Sequence, residues 1–168
     1  MKKLPLPICL TIWLMTVSPC QAGLTSFALT SSQRDGAYRT YTNARFGYSI
    51  AYPANLLIPQ GESENGDGQV FRALDGSAEM RVYGRNNVND ETLRGLFSEL
   101  SREWGANITY KVIRQDWFVV TALVNGKIHY QKTMLRRGVF KTFEIEYDSS
   151  RRAIFDGVTA RISKSFVG

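Results

Sequence analysis

Cysteine and histidine are scarce in this 168-residue chain. Cys9 and Cys20 are the only cysteines, both within the first 22 residues, and His129 is the only histidine. Beyond residue 22 there is no thiol to serve as a nucleophile, join a redox pair or bind zinc. A transition-metal site draws on several His or Cys ligands, and one is too few. No internal repeat is visible. No GxSxG nucleophile turn accompanies His129, so a Ser/His/Asp hydrolase lacks its context. His129 is read as a structural or surface histidine.

The N-terminus has three parts: the basic start "MKK", the uncharged apolar run "LPLPICLTIWLMTV", and "SPCQA", which ends on a small residue before Gly23. That order is the pattern of a secretory signal, with cleavage expected after Ala22, so residues 1–22 are assigned to it. Two competing readings are a membrane anchor and a lipoprotein acylated at Cys20. The apolar run is short of the roughly 20 residues that span a bilayer. Pro19 fits poorly before an acylated cysteine. The expectation is a periplasmic or secreted protein that meets the membrane only through its transient signal.

Removing Lys2 and Lys3 takes the formal net charge from +6 to +4, carried mostly by arginine. Export argues against nucleic acid as the partner. An acidic protein surface or an anionic envelope component fits a basic exported domain better. No disulfide is expected, and a chain of this length can bury a core without one. Hydrophobic and charged fractions of 43% and 21% are those of an ordinary globular protein.

Residues 23–39, rich in Ser, Thr, Ala and Gln, are expected to form a flexible leader, with a single domain over 40–168. "RFGYSIAYP" alternates, with Phe46, Tyr48, Ile50 and Tyr52 on one face, and stops at Pro53. "VFRALDGSAEMRVYG" reads as a hairpin turning at Asp75-Gly76 with both residues at positive φ. Phe71 then faces Met80 and Arg72 faces Glu79. Leu93, Leu96, Phe97, Leu100 and Trp104 form one helical stripe, capped by Asn89 or Asp90 and ended by Gly105. Four strands follow, turning at Asn125-Gly126 and Arg137-Gly138. Their expected register places Thr121, Tyr130 and Ile145 in one row. A last helix carries Ile154, Phe155, Val158, Ile162 and Phe166 and is capped by Asp148 or Ser149.

"YTNARFGYSIAYP", the hairpin, the middle helix, the meander and the closing "YDSSRRAIFDGVTARISKSF" together resemble the PsbP-like α/β/α fold of small exported bacterial proteins. The resemblance implies an α+β domain, an antiparallel sheet flanked by helices, used as a docking or accessory module rather than an enzyme. It implies no cofactor and carries over no catalytic residue. Some type VI secretion immunity proteins are similar in shape, so toxin neutralisation is an alternative, and an envelope hydrolase is a third.

Two surface stretches remain as partner-binding candidates. In "QGESENGDG", Glu62, Glu64 and Asp67 offer hard oxygen atoms of the kind calcium accepts, but their spacing departs from the EF-hand loop. The loop is read as a turn first, with Gly66 and Gly68 supplying unusual φ values. The second stretch is basic: Lys127, Lys132, Arg136, Arg137 and Lys141, expected together at one end of the meander and suited to carboxylate or phosphate.

Overall fold

Strict alternation of side chains along the strands sets the architecture, because each strand must present its apolar members to one of two covered faces. The computed structural model describes residues 38–168; the signal and nearly all of the leader lie outside the described residues. β1 (Tyr38–Asn43) pairs antiparallel with β2 (Tyr48–Pro53) as a two-stranded ribbon. β1 begins inside the stretch assigned to the leader, since Tyr38 pairs with Pro53 and Arg39 with Tyr52.

The main sheet has seven strands in the order β3-β4-β5-β9-β8-β7-β6, all antiparallel neighbours. They are β3 (Ile58–Glu62), β4 (Gly68–Arg72), β5 (Ala78–Asn86), β6 (Ile108–Ile113), β7 (Trp117–Val124), β8 (Lys127–Arg136) and β9 (Val139–Asp148). β3, whose residues show no alternating pattern, is a short edge strand with an irregularity between Pro59 and Glu62, where Gly61 takes φ +98°.

The turns decide the register. Asn125 and Gly126 have φ +50° and +78°, and Arg137 and Gly138 have +52° and +72°, so both meander turns are of the primed kind. Thr121, Tyr130 and Ile145 fall in one row as expected. The first hairpin reaches its expected register, Phe71 opposite Met80 and Arg72 opposite Glu79, by other means. Only Gly76 has positive φ there. Asp75 instead accepts hydrogen bonds from the Ser77 amide and hydroxyl at 3.1 and 2.6 Å, the local pairing that aspartate makes in turns.

Two helices cover the sheet from opposite sides. α1 (Leu93–Trp104) packs on β6, β7 and β8, where Leu93, Phe118, Val120 and Phe140 are buried together. Its cap is Thr92, whose hydroxyl accepts from the Gly95 amide at 3.0 Å, rather than Asn89 or Asp90; Gly105 ends it at φ +48°. α2 (Arg152–Ser165), preceded by a short 3-10 turn, lies with β1 and β2 over the other face. Phe155, Ile162 and Phe166 are buried there with Phe71, Met80, Phe143 and Ile145. Ile154 points outward, and neither Asp148 nor Ser149 caps through its side chain.

Strand approach also constrains glycine. A Cβ on Gly68 would lie 2.0 Å from the Val82 carbonyl oxygen in the neighbouring strand. Gly68→Ala is expected to lower stability by about 2 kcal/mol, the usual cost of forcing extra volume into packed structure. A reduced urea midpoint at unchanged slope is the readout.

Candidate functional site

The acidic loop connects β3 to β4, and two of its three acids, Glu62 and Asp67, are turned to separate internal partners. Glu62 accepts from the Tyr41 hydroxyl at 2.9 Å and from Asn43 Nδ2 at 3.0 Å. Asp67 accepts from the Ser63 hydroxyl at 2.6 Å and from Asn65 Nδ2 at 2.9 Å. The Ser63 hydrogen bond is the main reason that the Asp67 carboxyl titrates below its ordinary range. Glu64 is exposed. Among the described residues no three His, Cys, Asp or Glu side chains gather as a metal-ion shell. Gly66 has the expected positive φ; Gly68 does not, and Gly61 does.

Asn43 organises this loop, and no sequence signal singled it out. It is 1% exposed. Its Nδ2 donates to Glu62 and, at 2.9 Å, to the Gly66 carbonyl, while its Oδ1 accepts from the Phe46 amide at 2.9 Å.

The basic set divides. Lys127 opens the ten-residue β8 and Arg136 closes it, so they stand at opposite ends of the strand, roughly 30 Å apart at about 3.3 Å per residue. Lys127 pairs with Glu146 at 3.0 Å and leaves the cluster. The other four gather at one corner. Lys141, Arg136, Arg137, Phe46 and Gly47 line a hollow of about 340 Å³ there. Arg136 pairs with Asp116 at 2.8 Å and donates to the Gly168 main-chain oxygen at 3.0 Å. Lys132 Nζ donates to the Ser163 carbonyl at 2.7 Å, and Lys141 Nζ donates to the Gly47 carbonyl at 3.0 Å.

Strand alternation explains the burial of Lys141. It shares a face of β9 with Phe143 and Ile145, so its stem continues an apolar row, and the residue is 7% exposed. Burial, followed by the nearby Arg136 and Arg137 charges, holds the Lys141 ammonium below the ordinary lysine range; burial and Arg136 act likewise on Lys132. The corner is a concentration of positive charge that its own carbonyls satisfy in part.

His129 lies on the opposite face. Its ring is 6.0 Å from that of Trp104, and its Nδ1 is 3.7 Å from Glu146. With Glu79, Arg81, Gln131 and Glu144 it lines a small hollow of about 90 Å³ beside the end of α1.

No family model matches the chain, and no curated protein matches its sequence. Solved structures do match. Cyanobacterial PsbP (CyanoP) from Synechocystis sp. PCC 6803 superposes with TM-score 0.58 at 16% identity, over 78% of this chain and 92% of that one. The fold is PsbP-like. A crystal structure from Bacteroides thetaiotaomicron VPI-5482 gives TM-score 0.50 at 10% identity, over 79% of this chain and 48% of the other. At such identities the likeness speaks for the fold alone. The PsbP-like sheet thus separates two surfaces, the basic corner on the α2 face and the polar hollow on the α1 face.

Two outcomes follow from this geometry. Asn43→Ala is expected to cost about 2 kcal/mol, because it removes a buried side chain and leaves the part-buried Gly66 carbonyl and Phe46 amide without their partners. Hydrogen exchange should quicken at the Gly66 to Gly68 amides; unchanged exchange would show that the loop holds itself. Lys141 is a base whose folded pKa lies below its unfolded one. Its charge therefore weakens the fold at neutral pH, and the penalty fades as pH rises toward the ordinary lysine range. Lys141→Met should melt at or above the parent temperature at pH 7, with the difference narrowing at alkaline pH.

Proposed function

We propose that this is an exported, soluble, non-enzymatic accessory protein of the cell envelope that docks an acidic protein surface or an anionic envelope component through its basic corner. The observation that carries this reading is the convergence of Lys132, Arg136, Arg137 and Lys141 at one end of the sheet. Arginine and lysine grouped around a hollow attract a carboxylate or phosphate more strongly than scattered surface charges do. Arg137 is well placed for contact: it occupies the tight turn between β8 and β9 and is exposed.

Export rests on the sequence pattern of residues 1–22. Among the described residues no helix is long and apolar enough to cross a membrane. The filled interior on both sides of the sheet supports a protein that works through its exterior. The acidic loop candidates Glu62, Glu64 and Asp67 have a weaker claim as a docking surface, because Glu62 and Asp67 already hold internal partners.

The test is affinity capture of the tagged, processed protein from its own envelope fraction. The captured chain is expected to begin at Gly23. Charge reversal at Arg136 and Arg137 should abolish recovery of the specific partner and leave melting nearly unchanged. Recovery of the same partner at the same yield would remove the corner from the mechanism, and a tight one-to-one complex with a toxin would favour the immunity reading.

A further inference from the structure

α1 covers only the β6–β7–β8 part of its sheet face, and the neighbouring strands keep a polar surface beside it. Two cross-strand rows make that surface: Arg72, Glu79, Glu146 and His129 in one, and Arg81, Glu144 and Gln131 in the next. The hollow of about 90 Å³ beside Trp104 continues into a second of about 210 Å³ along α1; Gln131 and Glu144 line both. We propose that this groove binds a saccharide without acidic substituents.

The floor is rich in hydrogen-bonding groups whose charges are already balanced locally. Glu79 pairs with Arg72 at 2.8 Å and with Arg81 at 2.6 Å. Glu146 pairs with Lys127, and Glu144 accepts from the Tyr83 hydroxyl at 2.7 Å. These contacts fix planar carboxylate, amide and guanidinium groups in place without using all their hydrogen-bonding sites, since an ionised carboxylate alone accepts at about four. Adjacent ring hydroxyls, each both donor and acceptor, match such paired planar groups. An apolar partner would bury these groups with no replacement bonds and pay their desolvation.

Trp104, in the last turn of α1, supplies the wall, with its ring beside that of His129. The C–H face of a sugar ring packs on an aromatic face while its hydroxyl rim reaches the polar floor. Hydroxyls deeper in the groove are fixed as well: Thr133 and Thr142, both nearly fully buried, bond each other at 3.0 Å, and Gln131 Nε2 donates to Thr133 at 3.1 Å. The charge of the rim gives the restriction to non-acidic sugars. Glu99 and Glu103 stand exposed on the α1 side of the groove and repel uronates and phosphorylated rings. The surface is separate from the basic corner and does not depend on the docking role given to that corner.

The experiment titrates the isotope-labelled protein with cellotriose, triglucosamine, trigalacturonate and a hexalysine peptide, following amide shifts and tryptophan fluorescence. Cellotriose and triglucosamine should shift Trp104, Gln131 and Glu144, while trigalacturonate should leave them in place. Gln131→Ala and Glu144→Gln should each weaken saccharide binding roughly tenfold at unchanged melting temperature. These two variants keep the test valid even if Trp104→Ala unfolds, as its contact with the core under α1 allows. Silence with both non-acidic sugars, equal binding of trigalacturonate, or shifts confined to other surfaces would overturn the proposal. Hexalysine binding alone, lost in Glu99→Lys, would overturn it in favour of a basic protein segment.

Discussion

Everything in this domain is arranged around β9, the central strand of the seven. It is paired along its whole length, by β5 on one side and β8 on the other. Both its faces must therefore be dealt with by side-chain chemistry, and they differ. Phe143, Ile145 and Tyr147 make one face continuously apolar, and α2 with the β1–β2 ribbon covers it. The other face starts with Phe140 and continues through Thr142, Glu144 and Glu146. A helix stripe gains only by covering the apolar part, at roughly 25 cal/mol per Å². α1 accordingly sits toward β6 and β7 and leaves the carboxylates beside it open.

The same alternation produces the basic corner. Lys141 occupies a position on the covered face where the pattern calls for an apolar side chain, and Lys132 pairs with Phe143 on that face. Lys132 packs its ammonium against Trp117 and Phe166 at 5.8 and 5.9 Å, a partial compensation for leaving water. A fold that tolerates two lysines at the end of an apolar layer carries a local violation of its own pattern, and such violations concentrate where a surface has a task.

Much of this was legible in the sequence. Period-2 runs bounded by Asn-Gly and Arg-Gly turns fix strands and register together, because a slip of one residue would expose Phe143 and bury Glu144. The 3.6-residue stripe fixes α1 for a similar reason. What escaped is of another kind. β3 carries a proline and a glycine in five residues, so edge pairing rather than propensity makes it a strand. Thr92 replaces Asp90 as cap because the helix starts later than the charges suggest, and Asp90 takes φ +49° in the preceding turn. Lys127 is near Arg136 only along the chain, since an extended strand carries its two ends far apart. Asn43 ties the β1–β2 turn to the acidic loop through two long-range partners, Glu62 and the Gly66 carbonyl, that no local pattern announces.

The groove was the least legible feature, since it depends on the lateral placement of α1 rather than on its existence. A stripe of Leu96, Phe97, Leu100 and Trp104 says which side of the helix is buried; it does not say over which strands the helix will lie. That choice belongs to Phe118, Val120 and Phe140, which draw the helix toward one side of the sheet. Once it lies there, Glu79, Arg81, Glu144 and Glu146 have no apolar cover; Glu79 pairs with Arg81 and Arg72, Glu146 pairs with Lys127, and Glu144 accepts from the Tyr83 hydroxyl. The resulting surface is fixed in geometry and nearly neutral, on a protein whose remaining charge is basic. Two surfaces of different chemistry, on opposite faces of one sheet, share neither side chains nor space.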